Sequence, residues 1–67
     1  MARRRTVKAV VRELRREHPD MKVEVLYDPS GGWGGHMGTT PLPESEWGEY
    51  RVDGVRFFDT LAVVEAS

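Results

Sequence analysis

Trp47-Gly48-Glu49-Tyr50-Arg51-Val52-Asp53-Gly54-Val55-Arg56-Phe57-Phe58-Asp59 carries the strongest local signal in the chain, two runs of strand-forming residues separated by Asp-Gly. Asp-Gly in that setting is the preferred two-residue hairpin turn, in which both central residues take positive φ. The turn then sets a register. Val52 opposes Val55, Tyr50 opposes Phe57 and Gly48 opposes Asp59 on one face; Arg51 opposes Arg56, Glu49 opposes Phe58 and Trp47 opposes Thr60 on the other. The Val, Tyr and Phe face is the natural core side. The second face carries Trp47 and Phe58 beside Glu49, Arg51 and Arg56, an aromatic surface of the kind that marks a protein partner or a homodimer contact. Beyond it, Leu61-Ala62-Val63-Val64-Glu65 either extends the last strand past a bulge at Asp59 or forms one helical turn capped by Asp59 or Thr60. Strand is preferred, because Val63-Val64 are poor helix formers and the segment is too short for an unsupported helix. Such an extension could reach back to pair with the first strand.

On the amino-terminal side of this hairpin, spanning about 47–65, lies a loop, 28–46, that can propagate neither helix nor regular strand. Five of the seven glycines fall between Gly31 and Gly38, and Pro29, Pro41 and Pro43 bracket them. The backbone is therefore permissive at positive φ and lacks a donor at fixed points. Trp33 sits between two Gly-Gly pairs with His36 and Met37 beside it, and an aromatic with so little steric cover is what an interface anchor looks like. The competing reading folds Trp33 back over the small core, where burying its indole is worth about 2–3 kcal/mol.

Before the loop, Met21, Val23, Val25 and Tyr27 alternate with Lys22, Glu24 and Leu26, the period-two pattern of a half-buried strand at 21–27. Before that, Val7, Val10, Val11, Leu14 and His18 recur at helical spacing, so a helix is expected over about 6–17 with Thr6 as N-cap. Pro19 disfavours a helical conformation at His18 and ends it. Residues 1–5 read as a flexible arm. The expected fold is α+β: one amino-terminal amphipathic helix packed on a three-stranded antiparallel sheet in the order α-β-loop-β-β, all in a single domain.

Sixty-seven residues are close to the lower limit at which one core suffices, with only about 60% of the unfolded surface buried. With no cysteine there is no disulfide framework and no thiolate metal site, which raises the expectation of self-association. The start has no apolar leader and no stretch approaches the roughly 20 apolar residues of a membrane span, so a cytoplasmic protein that does not enter membranes is expected. Arginine outnumbers lysine eight to two, and isoleucine, asparagine, glutamine and cysteine are absent, a bias that reads as GC-rich coding and suits a bacterial or phage accessory protein acting on a host or assembly protein.

The formal net charge of −1 is unevenly placed. Residues Met1 to Asp20 hold seven basic against three acidic side chains, a local +4, whereas Met21 to Ser67 hold three against eight, a local −5. Arg3, Arg4, Arg5, Lys8, Arg12, Arg15 and Arg16 could meet a phosphate backbone with an arm and a helix face. The competing reading is a solvated helix face with Glu13 reaching Arg12 or Arg16, and the acidic remainder would repel a duplex from every other side. A third idea has the acidic sheet imitating nucleic acid.

Other chemistries find little footing. The glycine loop lacks the Lys-Ser/Thr ending of a phosphate cradle, and no helix follows it. His18 and His36 are the only histidines and a strand separates them, so no metal or cofactor is expected. There is no cysteine nucleophile and no serine signature, and Glu44, Glu46, Glu49 and Asp59 fall on turns or solvent faces, so no catalytic residue is expected. His18-Pro19-Asp20 resembles the loop signature of J-domain co-chaperones in three residues only, and a strand follows here where that family continues into a helix, so it implies no membership. Two function classes remain: a non-enzymatic protein-binding module using Trp33, His36, Met37, Trp47 and Phe58, and a nucleic-acid-binding protein using the arginine-rich arm and helix.

Overall fold

The computed structural model describes residues 5–27 and 40–67. Helix α1 (Val7–Glu17) leads into β1 (Lys22–Tyr27); then come β2 (Thr40–Pro41), a single turn of 3-10 helix (Glu44–Glu46), β3 (Val52–Phe58) and β4 (Leu61–Ala66). The fold is α+β. The expected three-stranded antiparallel sheet is replaced by a mixed sheet of four strands in the order β2-β1-β4-β3, because β4 does reach back to β1 but lies parallel to it. The segment 40–46, expected as loop, contributes both β2 and the 3-10 turn.

α1 forms where the apolar spacing places it. Thr6 is extended (φ −70°, ψ 154°) and its hydroxyl accepts from Ala9 N–H at 3.3 Å, the ordinary N-cap arrangement. The two preceding donors of the first turn are also taken: Val7 N–H donates to Tyr50 C=O at 3.0 Å and Lys8 N–H to Trp47 C=O at 3.1 Å. The helix start is therefore sutured to the 47–50 segment and has no amide left for an anion. At the other end His18 N–H returns to Leu14 C=O at 2.8 Å before Pro19 halts the ladder.

The hairpin is not where Asp-Gly places it. β3 runs straight through Asp53-Gly54, and the chain reverses at Asp59-Thr60, so that Phe58 pairs with Leu61, Phe57 with Ala62 and Arg56 with Val63. Asp59 takes the positive φ of 49° that the reversal needs, a conformation to which Asp is better suited than most residues. At Asp53 the register shifts by one residue, a bulge in β3. Gly54 serves there as space: an added Cβ would lie 3.1 Å from Glu65 Oε1. The physical reason is burial. Pairing β3 with β4 makes β4 an inner strand and seals Ala62, Val64 and Ala66 completely, a gain that a hairpin at 47–59 with β4 at its margin does not offer.

The core follows from this pairing. Val7, Val10, Val11 and Leu14 of α1 meet Val25 of β1 and Ala62, Val64 and Ala66 of β4, and Leu42 and Trp47 complete the cluster. α1 thus packs on the two inner strands, not across a three-stranded meander. Arg5, assigned to a flexible arm, is tied down twice: its carbonyl accepts from Val52 N–H at 2.9 Å and its guanidinium bonds Glu13 Oε1 at 2.6 Å. A backbone bridge between Thr6 and Arg51 continues that tie, so the amino-terminal end of the β3 edge at Val52 is covered.

Candidate functional site

Two surfaces of the described residues carry unusual chemistry, and the turn at Asp59-Thr60 creates one of them. Moving the reversal six residues along the chain pairs Phe57 with Ala62, still on the helix side of the sheet but at its outer margin beside the turn, where it is 55% exposed, with Phe58 51% exposed on the opposite face. These are the two exposed large apolar side chains among the described residues. They flank the outer margin of β3, the last strand of the sheet. Phe57 meets the His18 ring edge-on at 6.0 Å between centroids, which ties it loosely to the helix end. A shallow cleft of about 310 Å³ opens nearby between His18, Asp20, Met21, Asp59 and Thr60.

Behind Phe58 on the same face lies a charged pair. Glu65 is only 7% exposed, and Arg56 Nε stands 2.5 Å from its Oε2. The contact is a charge pairing and not an aligned hydrogen bond, for Oε2 has no hydrogen-bond partner among the described residues. Removing Arg56 would leave a buried carboxylate uncompensated, which is costly. Nothing in the residue spacing announces this pair, since it depends on which strands meet.

Trp47 is not on an outer face. It lies 9% exposed in the core, on the residue that closes the 3-10 turn, and its Nε1–H donates to Leu42 C=O at 2.9 Å. The aromatic face combining Trp47 with Phe58 therefore does not exist, because its register required the Asp-Gly hairpin. Arg15 lies over the indole with Cζ 5.5 Å from the ring centroid, a cation–π contact. Lys8, Arg12 and Arg15 with Glu44 and Trp47 line two adjoining clefts of about 230 and 300 Å³ beside the helix.

Lys8, Arg12, Arg15 and Arg16 are all exposed along α1, and none of them reaches a carboxylate within salt-bridge distance among the described residues. Arg5 differs, being engaged by Glu13. Trp33, His36, Met37, Arg3 and Arg4 lie outside the described residues. Among the described residues no group of three His, Asp or Glu side chains converges as a metal site would need, and no helix is long and apolar enough to cross a membrane.

One phenol is perturbed. Tyr50 packs against Tyr27 with ring centroids 4.9 Å apart, and its ionisation is pushed above the ordinary tyrosine range, first by partial burial and then by Glu46, Tyr27 and Glu49. It reads as a packed core margin, its shift set by burial and by neighbours that carry no positive charge. Comparisons with family models, with curated proteins and with solved structures find no match for this chain.

Proposed function

We propose that this chain is a small non-enzymatic protein-binding module whose described contact surface is the outer margin of β3, with Phe57 and Phe58 as anchors and the glycine-rich segment carrying Trp33, His36 and Met37 as a second contact. The observation that carries this reading is the pair of half-exposed phenylalanines, one on each face of an edge strand, whereas the other large apolar side chains among the described residues are buried wholly or in part. Edge strands are adhesive unless blunted, and aromatic anchors supply most of the energy of small interfaces. The test is affinity capture from a bacterial lysate with the wild type, a Phe57→Ser/Phe58→Ser double variant and a Trp33→Ala variant. The double variant is expected to keep its far-UV dichroism and melt within a few degrees of the wild type while losing its captured proteins. Capture unchanged by all three substitutions would overturn the reading.

A second reading is favoured by one observation, the exposed cationic side chains of α1, which reach no carboxylate among the described residues. Lys8, Arg12, Arg15 and Arg16, extended by Arg3, Arg4 and Arg5, form a phosphate-binding face in this reading. Affinity for mixed DNA and RNA oligonucleotides would then fall steeply with salt, with a logarithmic slope of roughly 0.7 to 0.9 per phosphate contacted. Fluorescence anisotropy at two salt concentrations decides it: no binding at low salt, or binding indifferent to Arg12→Ala/Arg16→Ala, ends the reading.

A further inference from the structure

We infer that the β3 edge is occupied by a second copy of this chain, paired antiparallel about a two-fold axis at Arg56. This names the partner for the surface just described and rests on that surface being a contact.

The backbone sets the terms. Arg51 and Ser67 exchange N–H and C=O, and Thr60 C=O accepts from Lys22 N–H of β1 at 2.9 Å, so along β4 the groups of Leu61, Val63 and Glu65 turn toward β3 and those of Ala62, Val64 and Ala66 toward β1. Their partners Phe58, Arg56 and Gly54 face inward, and the N–H and C=O of Val55 and Phe57 point away from the sheet. Farther back the edge is closed, since Val52 N–H is already bonded to Arg5. The opposite margin of the sheet, β2, is two residues long and includes Pro41, which cannot donate. Among the described residues the open run is therefore 54–58.

Only one two-fold register uses it. Centred on Arg56, Val55 of each copy meets Phe57 of the other, and four N–H···O=C bonds form. Centred on Phe57, Val55 would face Asp59, which sits in the turn at φ 49° and cannot continue a ladder. Centred on Val55, Phe57 would face Asp53, inside the bulge. In the Arg56 register the side chains also fit. Phe57 packs beside Val55 of the second copy, an aromatic–β-branched pair, while Phe58 covers Gly54 of the second copy, where there is no side chain to obstruct it. The two Arg56 side chains face each other, but each is paired with its own Glu65, so the group of four charges on the axis is neutral. Both exposed phenylalanines are covered.

The experiment uses the full chain, which has no native cysteine. Sedimentation and light scattering across a concentration series are expected to show a monomer–dimer equilibrium, weakened at least about tenfold by Phe57→Ser, since a phenyl group is lost from each side of the contact. Val55→Cys and Phe57→Cys chains, mixed under mild oxidant, are expected to form a disulfide dimer that neither forms alone, and the Arg56–Glu65 pair stays intact in both. A wild type monomeric at every concentration overturns the second copy as occupant. If Phe57→Ser/Phe58→Ser still abolishes capture of another protein, the contact surface itself survives that result. A dimer indifferent to those serine substitutions, or a disulfide formed by either cysteine variant alone, overturns the pairing and removes its support for the surface.

Discussion

Trp47 joins three parts of the molecule through one side chain: its ring lies against the apolar stripe of α1, its Nε1–H holds Leu42 C=O, and Arg15 rests on its face. Trp47→Phe keeps most of the apolar contact and deletes the donor, leaving the Leu42 carbonyl without its bond. A loss of about 1–2 kcal/mol is expected in urea denaturation with the slope unchanged, and Trp47→Ala should cost about 3–5 kcal/mol, enough to unfold a domain this small. Tyr50 supplies a pH test. Its folded-state ionisation lies above the unfolded value near 10, so the native state holds the proton more tightly. Its contribution is fully present below that unfolded value and is lost as pH rises through the folded one. Thermal melts from pH 8 to 11 should show an alkaline decline that is smaller in Tyr50→Phe.

At the level of elements, the position of the reversal has a direct mutational signature. If Asp59 carries the positive φ, Asp59→Val places a β-branched side chain in a left-handed conformation and costs about 1–2 kcal/mol, whereas Asp59→Gly is neutral or mildly stabilising. Gly54→Ala, by contrast, adds a methyl to an extended strand beside the Glu65 carboxylate and should shift stability by less than about 1 kcal/mol. A hairpin at Asp53-Gly54 would give the opposite ranking, so thermal midpoints of the three variants separate the two. The helix start has its own signature: Thr6→Ala removes the cap on Ala9 N–H and should cost about 1 kcal/mol.

For the whole molecule, the governing fact is how little core it owns. Among the described residues ten apolar side chains are buried, four of them from one helix, and Phe57 and Phe58 at the outer margin of β3 stay half exposed. A chain in that position gains from any partner that binds only the folded state. If that partner is a second copy, the thermal midpoint of the wild type rises with protein concentration and that of Phe57→Ser does not, which differential scanning fluorimetry across a dilution series will show. The charge asymmetry belongs to this scale too, with the cations of α1 on one side of a molecule whose remaining residues are net acidic.

The helix, its Thr6 cap, the first strand and the inward set Val23, Val25 and Tyr27 were all legible in residue order, because each rests on a periodicity or a hydroxyl within a few residues of its partner. Asp53-Gly54 misled for the same reason: its turn preference is local, worth a kcal/mol or so, and sealing Ala62, Val64 and Ala66 between two strands outweighs it. From that exchange came everything the linear pattern could not show about the surface. Trp47 moved inward, Phe57 came to the sheet's margin half exposed, and Arg56 met Glu65, since the neighbours a side chain meets depend on strands that are distant in the chain and come together only through long-range burial.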